Sequence, residues 1–243
     1  MWFTTSWDDG HPLDRRLADL MDRHGIRGTF YCLQRNREGL PVMQPADLRV
    51  LDGPFEIGSH TRDHAYANRV PASQWARGVA QGKSQLEDTL GHAVLGFCYP
   101  GGKRAAGSRS AVAAAGFRHA RTTESFCLDA GRDPLQVPTT LQFHPHPRPV
   151  LLRNLVSGGH WGRRLPLASV CLAEADFEAR LQRALRAALQ RGGGFHLWGH
   201  SWEIERNGLW PVLDRFFARV AAEVPAAARL SNADLLRHQG LLA

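Results

Sequence analysis

The sequence predicts an α/β chain: a parallel sheet with helices outside it, closed as a barrel or left as an open sheet. Three observations carry that expectation. Strand-like and helix-like segments alternate from Trp2 onward, which is the order of βα units joined by crossovers. Four polar clusters each follow a strand-like run directly, as they do where strand ends and their loops build one functional face. At 243 residues the chain has a length at which α/β barrels run undivided.

"WFTTSW" (2–7) is the first strand, and "PLDRRLADLMDRHG" (12–25) follows with Leu13, Leu17, Leu20 and Met21 on one helical face until Gly25 stops it. "RGTFYCL" (27–33) and "PFEIGS" (54–59) are the next strands. A long helix near 72–90 carries Trp75, Val79, Leu86 and Leu90 on one stripe. "VLGFCYP" (94–100) and "FRHAR" (117–121) are strands on either side of an alanine-rich helix near 108–115. From about 124 to 172 the rhythm breaks into proline- and glycine-rich chain, including "FHPHPRP" and "SGGHWGRR"; a loop of that length in a compact domain is functional or flexible. Regularity returns with a helix near 174–191, the strand "GFHLWGH" (194–200), a helix near 208–222, and a short helix near 232–238 capped by Ser231. No repeat or linker divides the chain, so residues 1–243 are expected to form one catalytic domain with an irregular insertion near 124–172.

Composition narrows the function classes. With 43% hydrophobic and 22% charged residues, the chain is an ordinary soluble globular protein, and no apolar run is long enough to span a bilayer. The first strand begins at Trp2 and leaves no room for a signal peptide. Cys32, Cys98, Cys127 and Cys171 are scattered, as reduced thiols in a cytoplasmic protein would be. The net charge of +7 is almost wholly arginine, with Lys83 and Lys103 the two lysines. No basic cluster marks a nucleic-acid tail; a diffuse basic field favours an anionic small molecule.

The polar clusters are Asp8-Asp9-Gly10, "GSHTRDH" (58–64), "CYPGGKR" (98–104) and "HLWGHSWEIE" (196–205). Asp-Asp-Gly alone is also good turn chemistry. Adjacent carboxylates repel unless a cation sits between them, and a divalent ion would relieve that by taking one and leaving the other as a base. His60 and His64 are four apart, so on a helical turn both imidazoles project to one side, as paired metal ligands require. In extended chain Asp8 and Asp9 point to opposite sides and suit different jobs. Zinc fits two imidazoles and a carboxylate without redox chemistry.

"TSWDDG", "GIRGTFY" (25–31), "EIGSHTRDH" (56–64) and "YPGG" (99–102) resemble, in order, the motifs of the polysaccharide deacetylase family (the chitooligosaccharide deacetylase homology domain, carbohydrate esterase family four), and "GHSWEIE" (199–205) resembles the last motif of one branch. The resemblance implies a distorted, incomplete (β/α) barrel and metal-dependent hydrolysis of an N-acyl group, usually acetyl, from an amino sugar. It implies Asp8 as general base, Asp9, His60 and His64 as ligands of one divalent ion, His200 as general acid, and the amide near Gly101 as an oxyanion donor. Tyr99, Pro100, His160, Trp161, Arg163, Trp202 and Glu203 are the candidates for substrate contact.

The motifs also depart from the family's pattern. Cys98 stands where the third motif usually opens with an arginine that pairs with the base; Lys103 and Arg104 are the nearest replacements. The tryptophan-bearing fourth motif is not recognisable, though "HARTTESF" (119–126) occupies its region. Glu203 either orients His200 or is a surface acid, and His196 reads as a barrel-core histidine. With no export signal, the expected substrate is a biosynthetic amino sugar on a nucleotide or lipid phosphate. Removal of formyl from a lipid-linked sugar and opening of a cyclic amide stay open. So do two other classes, a non-haem iron oxygenase and an inactive binding domain; Asp8 has no role in the former.

Overall fold

The computed structural model describes residues 1–242. Strands β1 (Trp2–Asp8), β2 (Thr29–Cys32), β3 (Glu56–Ser59), β4 (Gly96–Cys98), β5 (His119–Arg121), β6 (Leu141–Gln142), β7 (Gly194–Gly199) and β8 (Arg229–Leu230) form one sheet. Its order is β5-β4-β3-β2-β1-β7-β6, with β8 added on β1, and every pairing is parallel. The gap between the outer strands β5 and β6 is crossed by a single bridge, Arg121 to Val137. The result is a curled, incomplete (β/α) barrel in one domain, as the sequence predicts.

Helices α1 (Asp14–Arg23), α2 (Pro45–Leu51), α3 (Ala72–Leu90), α4 (Ser108–Ala114), α5 (Arg148–Ser157), α6 (Trp161–Ala173), α7 (Phe177–Arg191), α8 (Ser201–Arg206), α9 (Trp210–Glu223) and α10 (Asn232–His238) complete the fold. None is long and apolar enough to cross a membrane among the described residues. The insertion expected to be irregular near 124–172 is so up to Pro147, apart from a helical turn at Pro134–Gln136 and the two-residue β6, and then folds as α5 and α6. Its composition concealed them: Pro149 sits in the first turn of α5, where a missing N–H costs nothing, Gly158 and Gly159 separate the two, and Pro166 lies within α6.

β1 shows how the barrel is filled. Phe3, on its outer face, packs on Phe195, Phe216 and Phe217. The inward positions, two apart as strand geometry requires, are Thr4, Ser6 and Asp8, all buried. Thr4 donates to Asn232 Oδ1 at 2.9 Å, the Ser6 hydroxyl lies 2.9 Å from His196 Nε2, and Asp8 meets Arg121. The interior is therefore a ladder of polar pairs ending at the carboxyl ends of the strands, with His196 within it as a core histidine. A buried polar group is tolerated when it is hydrogen-bonded.

Candidate metal centre

Asp8, Asp9, His60, His64 and His200 come together at the carboxyl ends of β1, β3 and β7, although 192 positions separate the first from the last. Asp8 closes β1, and Asp9 turns into left-handed backbone at φ +79°. The expectation that the two aspartates point to opposite sides fails here. The left-handed residue swings its side chain back, so both carboxylates face His60 Nε2, Asp8 Oδ2 at 4.0 Å and Asp9 Oδ1 at 3.9 Å. The helical turn predicted for His60 and His64 is likewise absent. Thr61 and His64 are left-handed at φ +65° and +60°, and a tight turn brings the two rings to 5.0 Å. Left-handed backbone is costly for residues with a Cβ and gathers where a site demands it; three of the five non-glycine cases in the described chain stand here. α3 braces the turn: the Gly78 carbonyl accepts from Arg62 N at 3.0 Å, and a Cβ on Gly82 would come within 2.7 Å of the Thr61 backbone.

Asp9, His60 and His64 present their ligand atoms within 4.8 Å of one another, all buried. The His60 Nδ1–H donates to the Cys98 carbonyl at 2.9 Å, which fixes the tautomer and leaves Nε2 free. His64 Nδ1 lies 3.3 Å from the Glu38 carboxylate, and its Nε2 lies 3.5 Å from Asp9 Oδ1. Asp9 Oδ1 is buried with no hydrogen-bond partner, while Oδ2 accepts from Trp202 Nε1 at 3.0 Å. An ion about 2.1 Å from each of three tetrahedrally placed ligands would separate them by about 3.4 Å, close to the observed 3.5 and 3.9 Å. An orphaned oxygen facing two free imidazole nitrogens at that spacing fits a divalent cation. One ion per chain is expected by elemental analysis after dialysis and none in a His60→Ala/His64→Ala double variant. Equal metal content in the two proteins would overturn the site.

Asp8 is not equivalent to Asp9. Arg121, at the end of β5, is fully buried and donates through Nη2 to Asp8 Oδ1, while Cys98 Sγ lies 3.6 Å from Oδ2. Burial pushes the Asp8 carboxyl up, but Arg121, then His60 and His200, outweigh it and hold it at about 2. Neither Lys103 nor Arg104 supplies the arginine missing at Cys98. Cys98 and Arg121 are register partners across β4 and β5, so the guanidinium reaches the same carboxylate from the neighbouring strand. Sequence reading missed Arg121, although "FRHAR" ends a strand and strand ends carry the site.

On the other side, His200 Nδ1–H donates to Glu203 Oε2 at 2.6 Å, and its Nε2 lies 4.0 Å from Asp9 Oδ2. Burial lowers the imidazole, but Glu203, then the two aspartates, lift it to about 9. Glu203 is thus a partner of His200, held also by Gln142 Nε2 at 3.2 Å and with His144 Nε2 3.7 Å away. Trp202 binds Asp9 and lies 5.4 Å from the His200 ring. Asp14, also missed, is fully buried near the site, and burial, with Asp9 and Asp8, pushes its carboxyl well up.

A cavity of about 400 Å³ is lined by Gly101, Lys103, Arg104, Gln142, His144 and Trp198 among others, with one flank of α5 as a further wall. Trp198 and the Glu203 partners Gln142 and His144 lie between it and His200, which does not itself line it. In the turn after β4, Tyr99 N donates to the Arg121 carbonyl, and the amides of Gly102 and Lys103 close on Tyr99 and Pro100; the Gly101 amide joins none of these bonds. Gly101 is exposed at φ +55°. The Tyr99 ring is buried against Trp75 and Phe97, with its hydroxyl on the Leu135 carbonyl, and Pro100 is buried too. His160, Trp161 and Arg163 are not in this cavity. His160 and Arg163 both meet Glu124, and Trp161 is exposed on α6.

No curated protein matches the sequence. Among solved structures, the Puue allantoinase superposes with a TM-score of 0.67 at 16% identity, over 98% of this chain and 88% of that one. A family 4 acetyl xylan esterase from Clostridium thermocellum, solved with a cobalt ion, gives 0.61 at 14% over 99% and 92%. The family 4 carbohydrate esterase from Streptomyces lividans gives 0.54 at 15% over 90% and 89%. Likenesses at such identities establish the fold. The sequence itself matches the polysaccharide deacetylase family model over residues 3–120. That segment holds Asp8, Asp9, His60, His64 and Gly101, so the part of the chain that carries most of this cluster is similar to the polysaccharide deacetylase family.

Proposed function

We propose that the protein is a metal-dependent hydrolase that removes an N-acyl group, acetyl first, from an amino sugar. The observation that carries this is the division between the aspartates: Asp9 turns an unpartnered oxygen toward two free imidazoles, while Asp8 has one oxygen taken by Arg121 and is held ionised by it. A bound divalent ion, zinc by its ligand set, polarises the acyl carbonyl and makes water more acidic. Asp8 Oδ2 takes the proton from the attacking water. His200, kept protonated by Glu203, gives a proton to the leaving amine. The free Gly101 amide is the donor for the oxyanion. Asp8 and its arginine have no work in an iron oxygenase, and an inactive binding domain would have no use for a base and an acid on opposite sides of the cluster.

The substrate we assign is a cytoplasmic precursor of a surface polysaccharide or lipopolysaccharide, an amino sugar carried on a nucleotide or lipid phosphate. Lys103, Arg104 and Arg153 on the cavity wall support it, since cationic groups suit phosphate oxygens, as do four free, buried cysteines. Mass spectrometry of candidate precursors tests the reaction. Release of acetate supports it, release of formate makes the protein a deformylase, and gain of water with no fragment lost makes it a cyclic-amide hydrolase. For the carrier, kcat/KM is expected to favour the phosphate-linked sugar over the free sugar by about tenfold for each 1.4 kcal/mol of added transition-state binding. Equal values, or preference for a soluble oligosaccharide, would discard the carrier and leave the deacylase standing.

A further inference from the structure

Five large apolar side chains in the described chain stand half or more exposed, and four of them lie on α5 and α6: Leu152 at 51%, Val156 at 58%, Trp161 at 53% and Leu165 at 50%. They fall as two pairs spaced four apart, so each pair shares one helical face. Leu151 and Leu155, and Leu167 and Cys171, are the buried faces of the same helices. Both helices are therefore apolar on the inside and again on the outside, and internal packing does not account for the outer pairs.

The outer face is also fixed. The buried Arg164 guanidinium donates to the carbonyls of Ser125, Asn154, Leu155 and Gly159, which ties α6 to the end of α5. A side chain on Gly158 would overlap that guanidinium. Trp161 and Leu165 cannot roll inward without breaking these bonds. The two helices themselves carry charge of one sign: no aspartate or glutamate occurs between Asp133 and Glu174. Arg163 is engaged by Glu124 and Asp129, but Arg148 and Arg153 are exposed, and among the described residues neither meets a carboxylate.

We propose that the outer face of α5 and α6 docks on an anionic lipid bilayer, with Leu152, Val156, Trp161 and Leu165 entering the head-group boundary and Arg148 meeting lipid phosphates. Helices with Trp and Leu on one face and arginines beside it lie in the interface plane, and their binding combines buried apolar area with attraction to anionic head groups. Unopposed arginine complements lipid phosphate better than it complements a second basic copy of this chain. The docking stands apart from the proposed reaction, because it concerns a face turned away from the site and is read without turnover.

The test is co-sedimentation of the intact protein with vesicles of phosphatidylcholine containing phosphatidylglycerol, against phosphatidylcholine alone. The wild type is expected to pellet with the anionic vesicles, less so in high salt, and weakly or not at all with the neutral ones. Leu152→Gln/Val156→Gln should cut the partition coefficient by about tenfold or more, the consequence of withholding two apolar side chains. Arg148→Glu should weaken binding to anionic vesicles alone. Circular dichroism and metal content matching the wild type would show that the variants fold. Wild type left in the supernatant, or unchanged partition of the Leu152/Val156 variant, overturns the proposal. So does a concentration-dependent dimer, abolished by that variant, in a protein that ignores vesicles.

Discussion

An Asp8→Asn variant is expected to lose about 10²–10⁴ in kcat, the usual scale for a positioned general base, while keeping its metal. Two features require that pairing of outcomes. Asp9 Oδ1 faces both His60 and His64, so the proposed ligand set of Asp9, His60 and His64 does not draw on Asp8. Asp8 Oδ1 is taken by Arg121, and Oδ2 is left toward the cluster with a thiol 3.6 Å away. An amide there has no lone pair of comparable basicity, yet nearly the same shape. The measurement is kcat on a substrate identified by mass spectrometry, with metal content on the same preparation. Metal lost from Asp8→Asn and kept in Asp9→Asn would exchange the two roles.

The parts of this site that were legible in the sequence are those set by local chemistry. Alternating strands and helices place Asp8, His60, Gly101 and His200 at strand ends without reference to tertiary detail, and the sheet order brings them together. The backbone that aims them was not legible. Asp9, Thr61 and His64 adopt left-handed conformations that their residue types disfavour, and only the surrounding packing enforces them. Reading Asp8-Asp9 as extended and His60–His64 as helical named residues that the structure does bring together, but by a different geometry. The helices α5 and α6 were hidden because proline and glycine mark loops on average, whereas Pro149 is harmless in a first turn. Arg121 was hidden for a different reason: a charge is needed at a place in space, and two residues paired across neighbouring strands can both supply it.

Arg121 carries the largest expected effect on stability. Its guanidinium is fully buried, lies 4.7 Å from the Trp198 ring centroid and 5.5 Å from that of Tyr31, and neutralises a carboxylate that is itself 2% exposed. Removing one partner of a buried pair strands the other charge away from water, which costs about 3–5 kcal/mol. For a chain of this size that lowers Tm by about 6–20 °C. Arg121→Met should show this loss at pH 7, and the difference from wild type should shrink in acid. The sign follows from Asp8: its folded value of about 2 lies below the ordinary 3.8, so its contribution is present above that ordinary value and is lost as pH falls toward 2. Activity should fall as well, because without the cation burial pushes the carboxyl up and the base is less often ionised. The sharper test moves the charge back. Cys98 and Arg121 are opposite each other in the β4–β5 register, so Cys98→Arg/Arg121→Cys returns the arginine to the position it usually occupies in the family's third motif. If the base needs a cation rather than this particular strand, the double variant should recover part of the stability and kcat that Arg121→Cys loses. An Arg121→Cys protein as stable and active as the wild type would show that Asp8 does not depend on the pair, since a buried carboxylate left without its cation could not stay ionised at no cost.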